Sequence, residues 1–357
     1  MLRRVDALNL LRQSSVSKTD FFKAVSVIAS SSLSRDESNL VIDSVRIQIE
    51  RMTPTELVQL LKPVADLSRA EILPIAADVF TKLLDKSDSL SQNDIVKCVT
   101  ICGRMGLFDS ELFAQLDRRI HVNCVEDLKK IVSACNRLRY VFPNNLDSIV
   151  GPIARLVSCD TPLGPVVVPC MQYLASCARK DIQIPPEAVE RCVSALEKSV
   201  SILRADEDLL KQRSFISSND CLKFIVSYAK LAGGKPPTAS LSEDLKFVLM
   251  KIVAYDVRSF SLEKSLKLFF SLDKLDVFED FFIRRRLVPG IIQAYRDMNL
   301  KKSRDILLVL TVVSKLPFRN ALVDEVVELI SNDLETISPK DEFHDNITSL
   351  ISQVRNS

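Results

Sequence analysis

A helical pattern that returns about every 40 residues is the main constraint on how this chain can fold. Its clearest copy spans residues 127–138, DLKKIVSACNRL. The apolar side chains of this copy follow the 3.6-residue period of an α-helix that packs on one side. They are Leu128, Ile131, Val132, Cys135 and Leu138.

Copies of this pattern begin at nine places along the chain. The starting residues are Asp20, Glu56, Asp94, Asp127, Val166, Cys221, Ser265, Asp305 and Asn346. Their spacings lie between 33 and 44 residues, except for one spacing of 55 that follows Val166. We call the helices predicted at these places the first helices.

A second segment with helical period lies between successive first helices. Examples are residues 70–84, 109–120, 146–157, 186–203, 242–253, 280–295 and 323–334. Two helices in each repeat of about 40 residues are typical of an α-solenoid. The sequence therefore predicts an all-α chain in which residues 19–357 form a single α-solenoid, irregular around residues 160–218. Within that irregular stretch, residues 204–213, RADEDLLKQR, are expected to form a longer loop or an extra helical turn.

Composition excludes several functional classes. The chain has 7 glycines, too few for the many tight turns of an all-β fold or for glycine-rich nucleotide loops. Lys and Arg number 48 against 46 Asp and Glu, a net charge of +2, so charge alone does not hold this chain to nucleic acid. No apolar run approaches the roughly 20 residues of a membrane-spanning helix, and we expect no membrane insertion.

Cysteine and histidine offer little material for catalysis. The nine cysteines are an odd number and fall mostly on apolar helix faces, which predicts buried thiols in a reducing compartment without a disulfide framework. Cys98 and Cys102, with His121 and Cys124, are the one cluster with zinc-like spacing. The competing interpretation is that Cys98 and Cys102 are core side chains. We predict no enzyme activity, no cofactor and no metal.

Small polar residues recur inside the first helices, six positions after each start. Seven of the nine positions are Ser or Thr: Ser26, Thr100, Ser133, Ser227, Ser271, Thr311 and Ser352. In one interpretation, each hydroxyl bonds the carbonyl one turn back within a close helix contact. In the other, the row contacts successive units of a polymer, as in RNA-binding helical repeats.

Cations lie near the C-terminal ends of several first helices, nine or ten residues after the starting residue. The helix macrodipole favours cations at this end and is a sufficient cause. A basic ladder along the repeats is the alternative, joined by the densest basic run at residues 284–286. We therefore predict eight possible contacts with RNA or a protein partner: Arg104, Arg137, Lys230, Lys274, Arg284, Arg285, Arg286 and Lys315.

The first 18 residues carry three arginines, one acid and a helical stripe of apolar residues. The arginines are Arg3, Arg4 and Arg12, and the stripe is Leu2, Val5, Leu8 and Leu11. An amphipathic, Arg-rich and acid-poor start is typical of a mitochondrial transit peptide. Residues 1–18 are thus predicted to direct the chain to the mitochondrial matrix. The alternative is an ordinary first helix of the fold.

The repeat units ELVQLLKPVADL, DIVKCVTICGRMGLFDSELFAQLDRRI and DLKKIVSACNRLRY resemble the helical repeats of organellar RNA-metabolism proteins. They are similar to the helical region that precedes the RAP domain in FAST-kinase-domain proteins. They are also similar to ARM/HEAT-like accessory factors of kinetoplastid mitochondrial RNA editing. The resemblance implies a non-catalytic scaffold in RNA editing or a mitoribosome-related process, with protein subunits and RNA as partners. A scaffold of a non-RNA assembly, such as a respiratory complex, is the alternative.

Overall fold

The computed structural model of the protein describes ten stretches of the chain. They are residues 2–13, 16–29, 32–67, 69–143, 147–156, 164–205, 216–232, 241–277, 280–334 and 342–356. All regular secondary structure in these stretches is helical, and they contain no β-strand. The predicted all-α class is confirmed. The solenoid arrangement of residues 19–357 and its period of about 40 residues stay predictions.

The chain divides into two compact units. The first unit comprises residues 1–159 and 179–191. Its helices, with a 3₁₀ turn at Ser87–Ser89, are α1 (Arg4–Leu11), α2 (Lys18–Ala29), α3 (Arg35–Ile49), α4 (Pro54–Val64), α5 (Arg69–Asp85), α6 (Gln92–Met105), α7 (Ser110–Asp117), α8 (Val125–Leu138) and α9 (Asp147–Leu156). Helix α11 (Pro186–Ala205) includes residues of both units.

The second unit comprises residues 160–178 and 192–357. Its further helices are α10 (Gly164–Ala178), α12 (Ser218–Leu231), α13 (Glu243–Asp256), α14 (Leu262–Lys274), α15, α16 (Ser303–Ser314), α17 (Ala321–Leu334) and α18 (His344–Asn356). Helix α15 runs from Asp280–Phe282 through a π-helical turn at Ile283–Leu287 to Val288–Arg296. A 3₁₀ turn at Val257–Ser259 follows α13.

All nine predicted first helices exist. Each predicted starting residue is the third or fourth residue of a helix, and these helices are α2, α4, α6, α8, α10, α12, α14, α16 and α18. Of the irregular segment predicted at residues 204–213, Arg204 and Ala205 end α11, and the rest lies outside the described residues.

Local capping explains why several helices begin where they do. Helix α3 starts with a capping box: Ser34 accepts from the backbone N–H of Glu37, and the Glu37 carboxylate accepts from Ser34 N–H at 2.8 Å. Thr53 and Glu56 form the same box before α4. Helix α6 ends at Gly106, whose φ of 66° is the left-handed conformation that glycine adopts without strain. Short local motifs, two polar capping boxes and one glycine, therefore encode these helix boundaries.

The first helices of the first unit pack on one another in sequence. Helix α2 contacts α4, α4 contacts α6, and α6 contacts α8, while α1, α3, α5 and α7 form a second such series. Lys18 Nζ reaches Glu56 at 2.8 Å, which joins the beginnings of α2 and α4. Arg104 pairs with Asp66 and so joins the end of α6 to the residues just after α4. Because like ends meet, successive first helices run parallel.

Packing in the second unit follows the same rule. Helix α10 contacts α12, α12 contacts α14, α14 contacts α16, and α16 contacts α18. Lys315 Nζ lies 2.7 Å from Asp273, which joins the ends of α14 and α16. The first helices of this unit therefore lie side by side.

Helices α6 and α8 approach each other closely at Gly103. An ideal Cβ placed on Gly103 would lie 2.6 Å from both the Cα and the Cβ of Ala134. Carbon atoms in contact are normally about 3.5–4.0 Å apart, so no other residue fits at position 103 without moving a helix. The absence of a side chain at Gly103 thus sets the distance between two successive first helices.

Helix α1 packs on α2 and α3. Its buried residues are Ala7, Leu8 and Leu11, whereas Val5 is 67% exposed. The apolar stripe predicted through Val5 is therefore wrong at that position, because the buried face of α1 passes through Ala7 instead. Ser44 Oγ donates to the Leu11 carbonyl at 3.0 Å. This packing is that of an ordinary N-terminal helix of the fold, and the transit-peptide function of residues 1–18 stays a prediction.

Within the described stretches, no helix combines the length and the apolar character that crossing a bilayer requires.

Candidate partner-binding groove

The candidate site is a groove on the second unit, formed by the first helices α12, α14 and α16. Its volume is about 590 Å³. Binding sites for ligands commonly have volumes of about 300–1,000 Å³, so the groove can hold several side chains of a partner. We call this surface the α14 groove, because α14 contributes its middle.

The floor of the α14 groove is apolar. It is formed by Val226, Ala229, Leu266, Phe270 and Leu308. Leu266 is 4% exposed, and Val226, Phe270 and Leu308 are half-buried. Phe270 is held edge-to-face against Phe269, with ring centroids 5.7 Å apart. Binding sites are commonly lined by half-buried apolar side chains grouped in a concave surface.

The rim of the α14 groove is positively charged. Five cations line it: Lys230, Lys267, Lys274, Lys302 and Arg304. The two carboxylates in the lining are Glu263 and Asp305. Five positive charges against two negative charges leave a local excess of three, which is larger than the excess of two on the whole chain. An acidic ligand therefore gains electrostatic attraction at this groove.

The rim cations differ in how they are engaged. Lys267 Nζ donates to Glu263 at 2.5 Å, one turn away on the same helix. This bond, with a weaker contribution from Arg304, lowers the pKa of Glu263, which is thus fully ionised at neutral pH. Lys274 and Lys302 are exposed and form no ion pair in the described part of the chain. These two ammonium groups are the ones best placed to meet a ligand carboxylate.

The structure places the eight predicted contact residues in different environments. Lys230 and Lys274 lie together on the α14 groove, as just described. Lys315 and Arg104 are instead engaged in the ion pairs that join successive first helices. Each of these two cations thus has an acidic partner just after or near the end of the preceding first helix, and their contact with RNA or another protein stays a prediction.

The remaining four predicted residues are not part of the groove lining. Arg284 contacts Asp280 at 3.1 Å, and its guanidinium lies 4.2 Å from the ring centroid of Phe318. Arg285 and Arg286 are exposed on the π-helical turn of α15. Arg137 is exposed in the last turn of α8, in the first unit.

Sequence reasoning missed Lys267, Lys302 and Arg304. A signal for two of them was present, since KKSRD at residues 301–305 places cations at the start of a first helix. The helix macrodipole disfavours positive charge at a helix N-terminus, so helix stability does not explain the cations at residues 301–304. Cations at the N-terminal end of a first helix were therefore the signal that could have pointed to this site.

The polar row inside the first helices has a structural role. Five of its seven hydroxyls donate to the backbone carbonyl four residues earlier, at 2.6–3.0 Å: Ser26, Thr100, Ser271, Thr311 and Ser352. The predicted bond to the carbonyl one turn back is confirmed for these five residues, whereas the position within a close helix contact is not shared by Ser26 and Ser352, which are exposed. Ser271 also lines the groove, where its hydroxyl hydrogen is already committed to the Lys267 carbonyl.

The cysteines provide core packing. Eight of them lie in the described residues as free thiols, and all except Cys124 are buried. Cys98 hydrogen-bonds Cys102, and this bond together with burial raises the pKa of the Cys102 thiol, which favours the unreactive protonated form. His121 is exposed, and its backbone N–H donates to Gln92 at 2.9 Å. Across the described ranges, no three His, Cys, Asp or Glu side chains gather in a way that could hold a metal ion.

No protein-family model matches the chain, and no curated protein matches it significantly. Function is therefore inferred from the groove, from the packing of the first helices and from the resemblance of the repeat units.

Proposed function

We propose that this chain is a non-catalytic α-solenoid scaffold in a mitochondrial RNA-processing complex, in RNA editing or a mitoribosome-related process. In this proposal it works in the matrix, docks protein subunits on its first helices, and contacts RNA only secondarily. Support for the RNA-related setting comes from the resemblance of the repeat units to organellar RNA-metabolism proteins. Support for docking comes from the fold.

The observation that carries the proposal is the α14 groove on a row of parallel first helices. Side-by-side first helices with like ends together support this proposal, because helical-repeat proteins present binding surfaces on such rows of helices. The groove adds an apolar floor and a charged rim to the row. A surface of this composition suits a protein partner better than a small substrate.

The charge balance argues that RNA contact is secondary. A net charge of +2 over 357 residues gives little long-range attraction for phosphate. Two of the predicted cations, Arg104 and Lys315, are already paired within the fold. Any direct RNA binding thus depends on a few local cations and falls steeply with salt, with a log–log slope of about −0.7 for each phosphate contact on a single strand.

The test is purification of the tagged native protein from mitochondria with and without RNase. We expect a set of protein partners that survives RNase and includes RNA-processing or mitoribosomal subunits. Loss of all partners on RNase treatment would instead make the chain a primary RNA binder. Recovery of respiratory subunits alone would replace the proposal with a scaffold of a non-RNA assembly.

Filter binding of the isolated chain to RNA at several salt concentrations completes the test. Weak binding is expected at physiological salt. Tight, sequence-selective and salt-steep binding by the isolated chain would overturn the docking role.

A further inference from the structure

We propose that the α14 groove binds an amphipathic helix whose apolar stripe is flanked by Asp and Glu. The inference deepens the proposed docking function, on which it rests, by naming the chemistry of the partner. It needs no assumption about RNA or about the compartment in which the chain works.

The floor matches the geometry of a helix partner. Leu266 and Phe270 are four residues apart on α14 and therefore lie one above the other on the same face. Val226 of α12 and Leu308 of α16 border them on the two sides. An apolar floor between helices receives the side chains at positions i, i+3 or i+4, and i+7 of an amphipathic helix.

The rim places cations at both ends of this floor, and its excess of positive charge lies at the end of α12 and α14, because Glu263 and Asp305 stand with the cations at the beginning of α16. Lys230 and Lys274 stand at the ends of α12 and α14, whereas Lys302 and Arg304 stand at the beginning of α16. Lys267 and Lys274 are seven positions apart on α14, which corresponds to about 10 Å of helix at a rise of about 1.5 Å per residue. A partner helix of two to three turns with acids on its flanks would meet cations at each end.

The same features disfavour RNA as the occupant. Sites for single-stranded RNA combine cations with several aromatic side chains on which successive bases stack. The groove lining contains one aromatic residue, Phe270, and its other floor residues are aliphatic. Phosphates and sugars would leave that aliphatic floor uncovered, whereas the leucines of an amphipathic helix would bury it.

The experiment measures fluorescence anisotropy of the full-length chain with three labelled probes. The first is a helical peptide of about 15 residues with a Leu stripe and Glu flanks, designed on the 3.6-residue period. The second keeps the Leu stripe and replaces every Glu with Lys. The third is oligouridylate. We expect the Glu peptide to bind and the Lys peptide to bind at least about tenfold more weakly, because its charges repel the rim.

Two charge-matched variants locate the site. K274E/K302E reverses the two rim cations that form no ion pair among the described residues, and K62E/K97E makes the same change of charge on α4 and α6 of the first unit, outside the groove lining. All four residues are exposed, so both variants should fold. The groove variant should weaken the Glu peptide about tenfold, and the first-unit variant should leave it unchanged. Phe270→Ala, which removes the aromatic floor, should weaken it by a similar factor.

Three results would overturn the inference. Equal binding of the Glu and Lys peptides would show that charge does not select the partner. Equal losses in the two charge variants would show nonspecific attraction. Tighter binding of oligouridylate than of the Glu peptide, lost in K274E/K302E, would assign the groove to RNA. Peptide binding that follows the expected pattern, with no RNA-processing partner recovered from mitochondria, would uphold the inference and refute the proposed function.

Discussion

Replacing Gly103 with alanine should destabilise the first unit, although alanine is the better helix former. The added Cβ would lie 2.6 Å from Cα and Cβ of Ala134, so α6 and α8 must separate by about 1 Å to reach normal carbon contact. Overpacking of this kind costs about 1–3 kcal/mol, and the atoms met here include backbone, which cannot rotate away. The gain from removing a helical glycine is about 0.5–1 kcal/mol. The net loss expected for Gly103→Ala, taken between the midpoints of these two ranges, is therefore about 1 kcal/mol.

Gly290→Ala is the matched control. Its added Cβ would lie 3.4 Å from the Val257 carbonyl oxygen, which is ordinary contact, so the helix-propensity gain should remain and stability should rise or stay level. Urea denaturation followed by far-ultraviolet circular dichroism measures both variants. A Gly103→Ala protein as stable as the wild type or more so would refute the close approach of α6 and α8.

Three further predictions address other features. Ser34→Ala removes the cap of α3 and should lower the unfolding free energy by about 1 kcal/mol, measured by urea denaturation. Tyr295→Phe removes the hydroxyl that donates to Asp333 at 2.7 Å and should cost about 1 kcal/mol at pH 7. Burial and this bond raise the pKa of Tyr295. The contribution of its hydroxyl to the unfolding free energy is therefore present below about pH 10 and is lost as the pH rises further. The unfolding free energy of the Phe variant should accordingly fall less at alkaline pH than that of the wild type. A fluorescent fusion of residues 1–18 should enter mitochondria, and normal import after changing its three arginines to Glu would contradict the transit-peptide prediction.

Much of the fold could be predicted because its signals are local. The stripe in residues 127–138 needs only helical periodicity, and α8 buries Leu128, Ile131, Val132 and Cys135 as predicted. Short motifs such as Ser34 with Glu37 mark helix starts within four residues of sequence. The buried face of α1 was missed at Val5 because eight residues of mixed polarity allow more than one apolar face.

The site was predictable only in part, because its composition depends on which helices touch. Lys230 and Lys274 were selected as helix-end cations, and both line the groove. Lys315 was selected by the same rule, yet it forms an ion pair with Asp273, which is 42 residues away along the chain. To tell a cation that lines the groove from one that pairs within the fold, the position of each helix relative to its neighbour must be known. Sequence periodicity gives the spacing of helices but does not give the rotation of each helix against the next.

The ion pairs between neighbouring helices also bear on how the chain folds. Lys18 to Glu56 closes a loop of 38 residues, Arg46 to Asp78 one of 32, and Lys315 to Asp273 one of 42. Loop-closure entropy grows only with the logarithm of loop length, so these closures cost nearly the same. Formation of structure can therefore start at any neighbouring pair and spread in either direction, without a single obligatory nucleus. Folding of each unit should be rapid and begin at several places along the chain.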